Sequence, residues 1–565
     1  MANSPQRTTE VHRGAHDGTI DIGGEFGKAI EDGRCASVLF HSHAAMSEND
    51  VALPSAQKTD EPQPVRASRG RRLLRAIGPL LLTLAIIAGL EGALRLFGFE
   101  AHIGGGGDPL LNPEQLFSPI TRNGVALLQR HDAPVVTFLR DKPANGYRVF
   151  VVGDSSAFGF PFGPEFAFSR FLQDRLAKAL PDRTVEVVNC AMNGMASWHA
   201  RKVVDEIVRF RPDLIIVHVG HGDWITPGPE SISPLIRAAS QLRFYQLAVV
   251  ASQRWQRWRH GPLDVKRLDS RAEPYGQARD RARGLNTMTT REREWISARY
   301  ADDLRAMIDA GRAVGATVIL DGLAQNVSDF PPGASRHRRG ISVEERSRWR
   351  AAIEQADARM RAQDWPGALS ALDAAQRIDA EPAMLHYLRG RCLQGLGQYD
   401  DARSEYQLAS DTDAAPLGAP GSFDRIIASV AAERGVQFVD MRAALMRSSP
   451  HGLLGKDLFF DYVHPTIAGH MAIADVLADA LGVPAGGDSG VDPAALLAER
   501  PELDRQIYAA NTLLYLALGW YDEAIAELNR GGERHPELLG FREIVERFRA
   551  KETVPAWDDF PEAAP

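Results

Sequence analysis

Between residues 147 and 441 the chain alternates short apolar runs with longer stretches of helical periodicity. The apolar runs are rich in β-branched residues and nearly continuous, which is typical of parallel strands buried on both faces. They predict five strands, at 147–156, 184–191, 213–220, 316–323 and 436–441. The intervening periodicity predicts helices at 166–180, 197–210 and 291–314. This alternation predicts an α/β domain with a parallel sheet covered on both faces, and with its chemistry at the carboxyl ends of the strands.

A second pattern interrupts this alternation over residues 349–413, where similar residues recur 34 positions apart. The recurring pairs are Trp365 and Tyr399, Ala368 and Ala402, Leu372 and Tyr406, and Ala375 and Ala409. The spacing resembles the tetratricopeptide repeat, a helical hairpin that stacks on its neighbours, and it returns within residues 495–550. A free-standing solenoid usually needs more repeats than these. We therefore expect the repeats at 349–413 and at 495–550 to stack on each other or on the α/β domain. Ordinary amphipathic helices are the alternative.

An uncharged run of 15 residues, 76–90, lies near the N-terminus and follows four arginines between positions 69 and 75. It is shorter than the roughly 20 residues that cross a bilayer core, but apolar residues extend it on both sides. Glu91 and Arg95, at i and i+4, can pair at the far interface. The one-sided arginines favour a transmembrane signal anchor over 73–97, and a buried core helix is the alternative.

Residues 1–68 lack sustained apolar periodicity, so we expect a disordered tail. If the anchor is real, the positive-inside rule puts this tail in the cytoplasm and the rest of the chain outside it. In a Gram-negative bacterium that compartment is the periplasm. Residues 98–145 would then be a juxtamembrane segment.

Composition narrows the classes of function. The chain has 565 residues and a formal net charge of −8. It contains no block of like charge, so we expect no nucleic-acid partner, because binding phosphates needs a basic face. The cysteines are odd in number and widely spaced, which excludes a disulfide framework and a C-x-x-C metal site.

The first predicted strand ends in Gly153-Asp154-Ser155-Ser156. A nucleophilic serine needs an exposed place at a strand end, a base within reach, and N–H donors for the developing oxyanion. Ser155 has the first of these. Asp154 is expected to fix the turn by accepting hydrogen bonds from backbone donors.

Far downstream, Asp461 and His464 stand three positions apart, and Pro465 follows them. Proline favours the first helical position, so we expect His464 at a helix start with Asp461 one turn earlier. Across such a turn Asp461 can accept the Nδ1 proton of His464. The Nε2 atom is then free to deprotonate a serine.

Four blocks in this order resemble the SGNH/GDSL hydrolase superfamily. They are Gly153-Asp154-Ser155, Asn189 to Gly194, Gly220-His221-Gly222-Asp223 in place of a G-x-N-D block, and Asp461-x-x-His464-Pro465. The resemblance covers residues 146–333 and 420–484, with the repeats inserted between them. It implies a flavodoxin-like three-layer α/β/α sandwich that hydrolyses or transfers acyl esters without a metal or organic cofactor.

The resemblance also implies residue roles. Ser155 would be the nucleophile, His464 the general base and acid, and Asp461 its orienter. The oxyanion hole would use backbone N–H groups of Ser155 and Gly194 and a third donor at position 222. The family normally has Asn there, and losing such a donor costs about 10² to 10³ in turnover.

With Gly222 in place of that Asn, either activity is weak, or His221 or a main-chain N–H takes over. Asp223 is expected to cap a helix or loop. Asn326, in the loop after the fourth strand, and His221 are candidates for substrate contact.

Two functions follow from these observations. The first is a membrane-anchored serine esterase or acyltransferase that acts outside the cytoplasm on an acyl ester of a glycan or lipid. The second is a catalytically degenerate scaffold whose repeats bind protein partners at the membrane. Gly222 favours the scaffold, whereas the presence of Ser155, Asp461 and His464 together favours the enzyme.

Overall fold

The computed structural model describes residues 88–96, 116–224, 242–245, 247, 290–483 and 493–551. The strands in these ranges are β1 Phe117–Arg122, β2 Val125–Arg130, β3 Thr137–Leu139, β4 Gly146–Gly153, β5 Thr184–Asn189, β6 Leu214–His218, β7 Thr317–Asp321 and β8 Gln437–Val439. The α-helices are α1 Ser155–Phe158, α2 Phe168–Ala179, α3 Ser197–Ile207, α4 Thr290–Ala313, α5 Val343–Arg361, α6 Trp365–Ile378, α7 Ala383–Gly395, α8 Tyr399–Thr412, α9 Gly421–Arg434, α10 Met441–Ser448, α11 Ile467–Ala480, α12 Pro493–Ala498, α13 Pro501–Leu518, α14 Tyr521–Gly532 and α15 Arg542–Lys551. Short 3₁₀ helices lie at Pro164–Phe166, Val208–Phe210, His221–Trp224, Pro450–Gly452 and Pro536–Phe541.

A parallel sheet of five strands lies at the centre, in the order β5-β4-β6-β7-β8. Counted along the chain this order is 2-1-3-4-5, which is that of flavodoxin-like folds. The order reverses between β4 and β6, so the carboxyl ends of these two strands border the expected site. All five predicted strands are present. Each is shorter than its apolar run, because the residues after its carboxyl end leave the ladder to form the loops of that edge.

Successive side chains of β4 face two different cores. Phe150 and Val152 lie in a core shared with α3, α4 and α9. Val149 and Val151 lie in a core shared with α2, α10 and α11. Helices therefore cover both faces, and the predicted α/β/α arrangement is confirmed. The three helices expected at 166–180, 197–210 and 291–314 correspond to α2, α3 and α4.

A small antiparallel sheet, β1-β2-β3, precedes the parallel sheet and packs on it. The rings of Phe138 and Phe150 lie edge to face with their centroids 5.5 Å apart. The Arg130 guanidinium donates to the carbonyl oxygen of Asn189 at the end of β5, at 3.0 Å. The domain thus includes residues that the sequence analysis assigned to a juxtamembrane segment over 98–145. Its strands are short and partly exposed, so their apolar pattern is weak.

The chain between β7 and α9 forms two helical hairpins, α5–α6 and α7–α8. Trp365 and Tyr399, 34 positions apart, each begin the second helix of a hairpin. Near the C-terminus α13 and α14 form another hairpin, in which Tyr521 takes the same place. The repeat pattern therefore located helical hairpins, whose kinship with tetratricopeptide repeats stays a prediction.

The C-terminal hairpin contacts both the α/β domain and the inserted hairpins. Phe330, in the loop after β7, stacks on Tyr515 of α13 with ring centroids 5.3 Å apart. Asn511 Nδ2 donates to the carbonyl oxygen of Phe460 at 2.8 Å. Arg361 of α5 and Asp522 of α14 form an ion pair at 3.4 Å. The C-terminal hairpin therefore packs on the α/β domain and also contacts the inserted hairpins through this ion pair.

Of the anchor expected at 73–97, only residues 88–96 are described, and these are helical. Arg95 Nε donates to Glu91 Oε1 at 2.7 Å, the pair expected from the i, i+4 spacing. The other oxygen of Glu91 accepts the backbone N–H of Phe244 at 2.9 Å. Within the described ranges, no helix combines the length and apolarity needed to span a bilayer. The tail at 1–68 lies outside the described residues.

Candidate active site

The turn after β4 holds Ser155 at the carboxyl edge of the sheet. A Cβ atom on Gly153 would lie 2.3 Å from the carbonyl oxygen of His218, so only glycine fits between β4 and β6. Asp154 caps α1: its Oδ1 accepts the backbone N–H of Ser156 at 3.1 Å, and its Oδ2 accepts that of His221 at 3.0 Å. The prediction that Asp154 fixes the turn is confirmed. Ser155 itself is half-buried.

Asp461 and His464 meet Ser155 across 309 positions of sequence. The Nε2 atom of His464 lies 2.7 Å from Ser155 Oγ, and its Nδ1 atom lies 2.5 Å from Asp461 Oδ2. Asp461 Oδ1 also accepts the backbone N–H groups of Val463 and His464, so the carboxylate is fixed against the ring. Because Nδ1–H donates to Asp461, Nε2 is an acceptor and the Ser155 hydroxyl donates to it.

The segment that carries His464 is a tight turn and not the expected helix start. Pro465 pairs with Phe459 in an isolated β-bridge, and α11 begins two residues later, at Ile467. The prediction of Pro465 as the first helical residue is wrong because Thr466 is the N-cap, its hydroxyl accepting the N–H of Gly469 at 3.0 Å. The contact expected between Asp461 and His464 does not depend on the helix and is present.

Three aromatic rings surround the imidazole of His464. Phe460 stacks on it with ring centroids 5.6 Å apart, and Phe160 lies at 4.7 Å. Tyr462 approaches edge to face at 5.6 Å. This packing leaves the side chain only 3% exposed and fixes the ring plane, so Nε2 stays directed at Ser155.

A second Ser-His-Asp trio lies next to the first. His218, the last residue of β6, has Nδ1 2.8 Å from Asp321 Oδ2 and Nε2 3.1 Å from Ser156 Oγ. Ser156 donates its hydroxyl proton to Asp154 Oδ1 at 2.6 Å. A hydroxyl has a single proton, so Ser156 accepts from His218, and both ring nitrogens of His218 are donors.

The two trios therefore differ in chemistry. Burial by itself would lower the pKa of His218, but the hydrogen bond and charge of Asp321 outweigh it and raise the pKa above its ordinary value. An imidazolium cannot act as a base, and Ser156, His218 and Asp321 are only 2%, 2% and 1% exposed. This trio was not predicted from the sequence, because its members lie in three separate segments. The only signal was that His218 and Asp321 end neighbouring strands.

The turns after β5 and β6 touch beside Ser155. A Cβ atom on Gly222 would lie 2.1 Å from the carbonyl oxygen of Met195, so no side chain fits at position 222. This close approach explains why position 222 is glycine, although the family that the sequence blocks resemble normally has Asn there. Gly194 lies exposed in the same turn as Met195. Asp223 accepts the backbone N–H of Ser197 at 2.8 Å and so caps α3, which confirms its expected capping role.

His221 is buried beside Asp154 with one ring nitrogen partnered. Its Nδ1 accepts the backbone N–H of Ala419 at 3.0 Å, so the proton of the neutral ring is on Nε2. Burial lowers the pKa of His221 to about 4, which keeps the ring neutral near pH 7. Within the described part of the chain, its Nε2 has no hydrogen-bond partner. The residue before Gly222 thus carries a donor that no described residue engages.

Asn326 lies in the loop after β7. Its backbone N–H donates to the carbonyl oxygen of Tyr462 at 2.9 Å, and its Oδ1 accepts the backbone N–H of Asp329 at 2.9 Å. The loop therefore borders the turn that carries His464. The structure places Asn326 and His464 at the same edge of the sheet.

The described ranges contain no group of three or more His, Cys, Asp or Glu side chains that could hold a metal ion. Cys190 and Cys392 are buried free thiols. Burial raises the pKa of both, to about 11 for Cys392, so neither is a thiolate at neutral pH.

Residues 151–386 match the family model of the GDSL-like lipases and acylhydrolases. The match begins in β4, includes Ser155 and the turns after β5 and β6, and ends in α7. Asp461 and His464 lie beyond it. This part of the chain is thus similar to the GDSL-like lipases and acylhydrolases, and the match supports a relation to the SGNH superfamily.

Several solved structures are similar to the chain. A catalytic mutant of an acetylxylan esterase from Geobacillus stearothermophilus is 12% identical, with 62% of this chain and all of that chain covered and a TM-score of 0.27. The structure of TesA is 13% identical; the match covers 59% of this chain and 97% of TesA, with a TM-score of 0.26. A putative acylhydrolase from Bacteroides fragilis is 13% identical; the match covers 60% of this chain and 89% of the acylhydrolase, with a TM-score of 0.26. No curated protein matches the chain. The similarity to the GDSL-like lipases and acylhydrolases rests on the family model.

Proposed function

We propose that this protein is a serine esterase or acyltransferase that uses Ser155, His464 and Asp461 on an acyl ester. The observation that carries the proposal is the 2.7 Å separation of His464 Nε2 and Ser155 Oγ, with Asp461 on the other ring nitrogen. The family of residues 151–386 supports the reaction class.

In the first half of the cycle, Ser155 Oγ attacks the ester carbonyl carbon while its proton passes to His464 Nε2. Asp461 stabilises the resulting imidazolium. His464 then gives the proton to the departing alkoxide, and an acyl ester of Ser155 remains. In the second half, water or an acceptor hydroxyl loses a proton to His464 and attacks the acyl carbon. The bond between the acyl carbon and Ser155 Oγ then breaks as His464 returns that proton to Ser155 Oγ, which restores the starting state. Water makes the reaction a hydrolysis, and an acceptor hydroxyl makes it a transfer.

The oxyanion of each tetrahedral intermediate requires preorganised donors. By the family resemblance these are the backbone N–H groups of Ser155 and Gly194. Gly222 contributes no side chain, and we propose the neutral Nε2–H of His221 as the replacement donor, since its tautomer is set by Ala419 and it lacks a partner among the described residues. The cycle uses no metal or organic cofactor.

The proposed substrate is an acyl ester on a glycan or lipid outside the cytoplasm. The apolar run at 76–90 and the arginines before it support an anchor over 73–97. In this proposal the N-terminal tail is cytoplasmic and the hydrolase domain lies on the other side of the membrane, in the periplasm of a Gram-negative cell.

A fluorophosphonate probe, which phosphonylates activated serines, tests the proposal on the full-length chain. We expect labelling of the parent chain and none of Ser155→Ala. Ser156→Ala is the matched variant, because its hydroxyl is engaged by Asp154 and His218. It should still be labelled, at a reduced rate. Equal labelling of the parent and Ser155→Ala would overturn the proposal.

A second candidate function is a protein-binding scaffold on a degenerate hydrolase fold. The glycine at position 222 and the inserted hairpins favour it. It predicts no probe labelling, no turnover of short p-nitrophenyl esters, and a protein partner that is lost when residues 349–413 are removed. Ester turnover that depends on Ser155 would exclude it.

A further inference from the structure

A cleft lies between the inserted hairpins and the loop after β7. Its volume is about 400 Å³ with the open mouth included. Tyr387 of α7 and Tyr406 of α8 line one wall, and Asn326 and Phe330 line the other. Tyr462 lines the cleft between these walls. The cleft is therefore built jointly by the insertion and the hydrolase domain.

This cleft adjoins the catalytic histidine. The ring of Tyr462, which lines it, packs edge to face on His464 with centroids 5.6 Å apart. The loop of the opposite wall is hydrogen-bonded to the same segment, through the backbone N–H of Asn326 and the carbonyl oxygen of Tyr462. In parallel α/β sheets ligands bind at this carboxyl edge. The cleft thus lies beside the segment that carries His464, whose imidazole contacts Ser155.

Asn326, which lines the cleft, has a side-chain donor that no described residue engages. Its side chain is 4% exposed, and its Oδ1 accepts the backbone N–H of Asp329. Its Nδ2 has no hydrogen-bond partner among the described residues. A buried amide left unpaired is unfavourable, and a ligand oxygen that accepts from it removes that cost. The donor therefore selects a ligand with hydroxyl or carbonyl oxygens.

The lining also restricts the charge of the ligand. None of the described residues that line the cleft is Lys or Arg. Its one acidic residue, Asp413, is engaged by the backbone N–H groups of Gly333 and Ala334. An anion would find no countercharge, and an alkyl chain would leave Asn326 unpaired. A neutral sugar ring offers apolar C–H faces to the aromatic rings and hydroxyl oxygens to the amide.

We propose that this cleft binds a neutral glycosyl unit of the substrate, so that the inserted hairpins form one wall of the substrate site. The inference rests on the proposed function, because it assigns the bound sugar to the alcohol part of the ester. Binding of the sugar does not require turnover, so the two can fail separately.

The test measures binding by isothermal titration calorimetry to the full-length Ser155→Ala chain. The probes are cellotetraose, xylotetraose, mannotetraose and maltotetraose, with tetragalacturonic acid as the anionic comparison. We expect at least one neutral probe to bind. Adding Asn326→Asp should weaken that binding about tenfold, because Asp keeps the acceptor for the Asp329 N–H but replaces the amide donor with an anionic oxygen.

The matched control is Asn529→Asp on α14, an exposed position where Oδ1 accepts from Arg542 at 3.3 Å and Asp preserves that bond. Its binding should equal that of the Ser155→Ala parent. The inference is overturned if no neutral probe binds, if Asn326→Asp binds as tightly as Asn529→Asp, or if tetragalacturonic acid binds best. Sugar binding without fluorophosphonate labelling would support the sugar-binding cleft and contradict the proposed esterase. Labelling without sugar binding would support the esterase and contradict the sugar-binding cleft.

Discussion

Ser155 and Ser156 each lie within hydrogen-bond distance of a histidine that is itself bonded to an aspartate. The hydroxyl proton of Ser156 is engaged by Asp154, whereas that of Ser155 is directed at His464. A nucleophile needs a proton that can leave to a neutral base. Two adjacent serines thus differ in the hydrogen-bond partner of the hydroxyl proton, and we expect only Ser155 to act as a nucleophile.

The buried trio of Ser156, His218 and Asp321 is suited to hold the turn that carries Ser155. Burial would raise the pKa of Asp154, but His221, His218 and the hydrogen bonds of Ser156 outweigh it, so its pKa is lowered and the carboxylate stays ionised. The ionised group bonds the turn after β4 to the loop after β6. We therefore regard Ser156 and His218 as positioning residues for Ser155.

Replacing Ser156 with Ala tests this role. The change removes a donor from Asp154 and an acceptor from His218, so the turn loses part of its support. We expect kcat on a p-nitrophenyl acyl ester to fall about tenfold with KM unchanged. Ser156→Thr, which keeps the hydroxyl, should recover most of kcat. An unchanged kcat in Ser156→Ala, or a loss that Ser156→Thr shares in full, would count against positioning.

At the scale of elements, the site depends on how closely the turns after β4, β5 and β6 approach one another. Gly153 lets β4 contact β6, and Gly222 lets the loop after β6 contact the turn that holds Gly194 and Met195. Both contacts are to backbone carbonyl oxygens, which cannot move without shifting a turn. The turns that carry the proposed oxyanion donors are therefore held by glycine contacts.

Restoring the usual Asn of the family, by Gly222→Asn, should damage the protein. The new Cβ would lie 2.1 Å from the carbonyl oxygen of Met195, so one of the two turns must shift. We expect a loss of at least about 2 kcal/mol in the free energy of unfolding, and no gain in kcat. Chemical denaturation and ester turnover measure the two effects. Gly540→Asn is the control, because a Cβ there meets nothing within 4 Å. A more active Gly222→Asn of parental stability would show that the turn adapts.

Across the whole molecule, buried titratable groups couple stability to pH. Burial lowers the pKa of His221 to about 4 and of His470 to about 3, from an ordinary value of 6.5. Their folded-state values are depressed, so the stability they contribute is present above pH 6.5 and is lost as pH falls. Burial raises the pKa of Asp223 and Asp413 to about 6, which has the opposite effect between 3.8 and 6. The histidine shifts are the larger, so we expect net destabilisation by acid.

His470→Asn isolates one part of this effect. In the parent chain, His470 Nδ1 accepts the backbone N–H of Phe168 at 3.3 Å. The side-chain oxygen of Asn can accept the same N–H. Between about pH 7.5 and pH 5, His470 should account for about 2 kcal/mol of the loss in unfolding free energy. In a plot of unfolding free energy against pH, His470→Asn should lack this part of the slope. His451→Asn, at an exposed residue with φ 57 that Asn also tolerates, should retain it. Equal slopes for the two variants would contradict the assignment.

Local spacing in the sequence determined the strands and helices of the sheet, the positions of the hairpins, and the pairing of Asp461 with His464. Each depends on a nearly continuous apolar run, on a period of 3.6 or 34 residues, or on a three-residue separation. The order of the family blocks pointed to Ser155 and His464 as partners. Pro465 shows the limit of such signals, because the Thr466 side chain and a β-bridge moved the helix start.

Four features were decided only by the tertiary structure. Two concern the site: which serine keeps a transferable proton, and the second trio, in which His218 and Asp321 join Ser156. The other two are the packing of β1-β2-β3 on the core and the cleft beside the insertion. The strand order brings the carboxyl ends of β4, β6 and β7 together from distant segments. Burial then sets which of the assembled groups hold protons. Neither the strand order nor the burial of a particular polar side chain is expressed in the spacing of neighbouring residues, so these features required the folded chain.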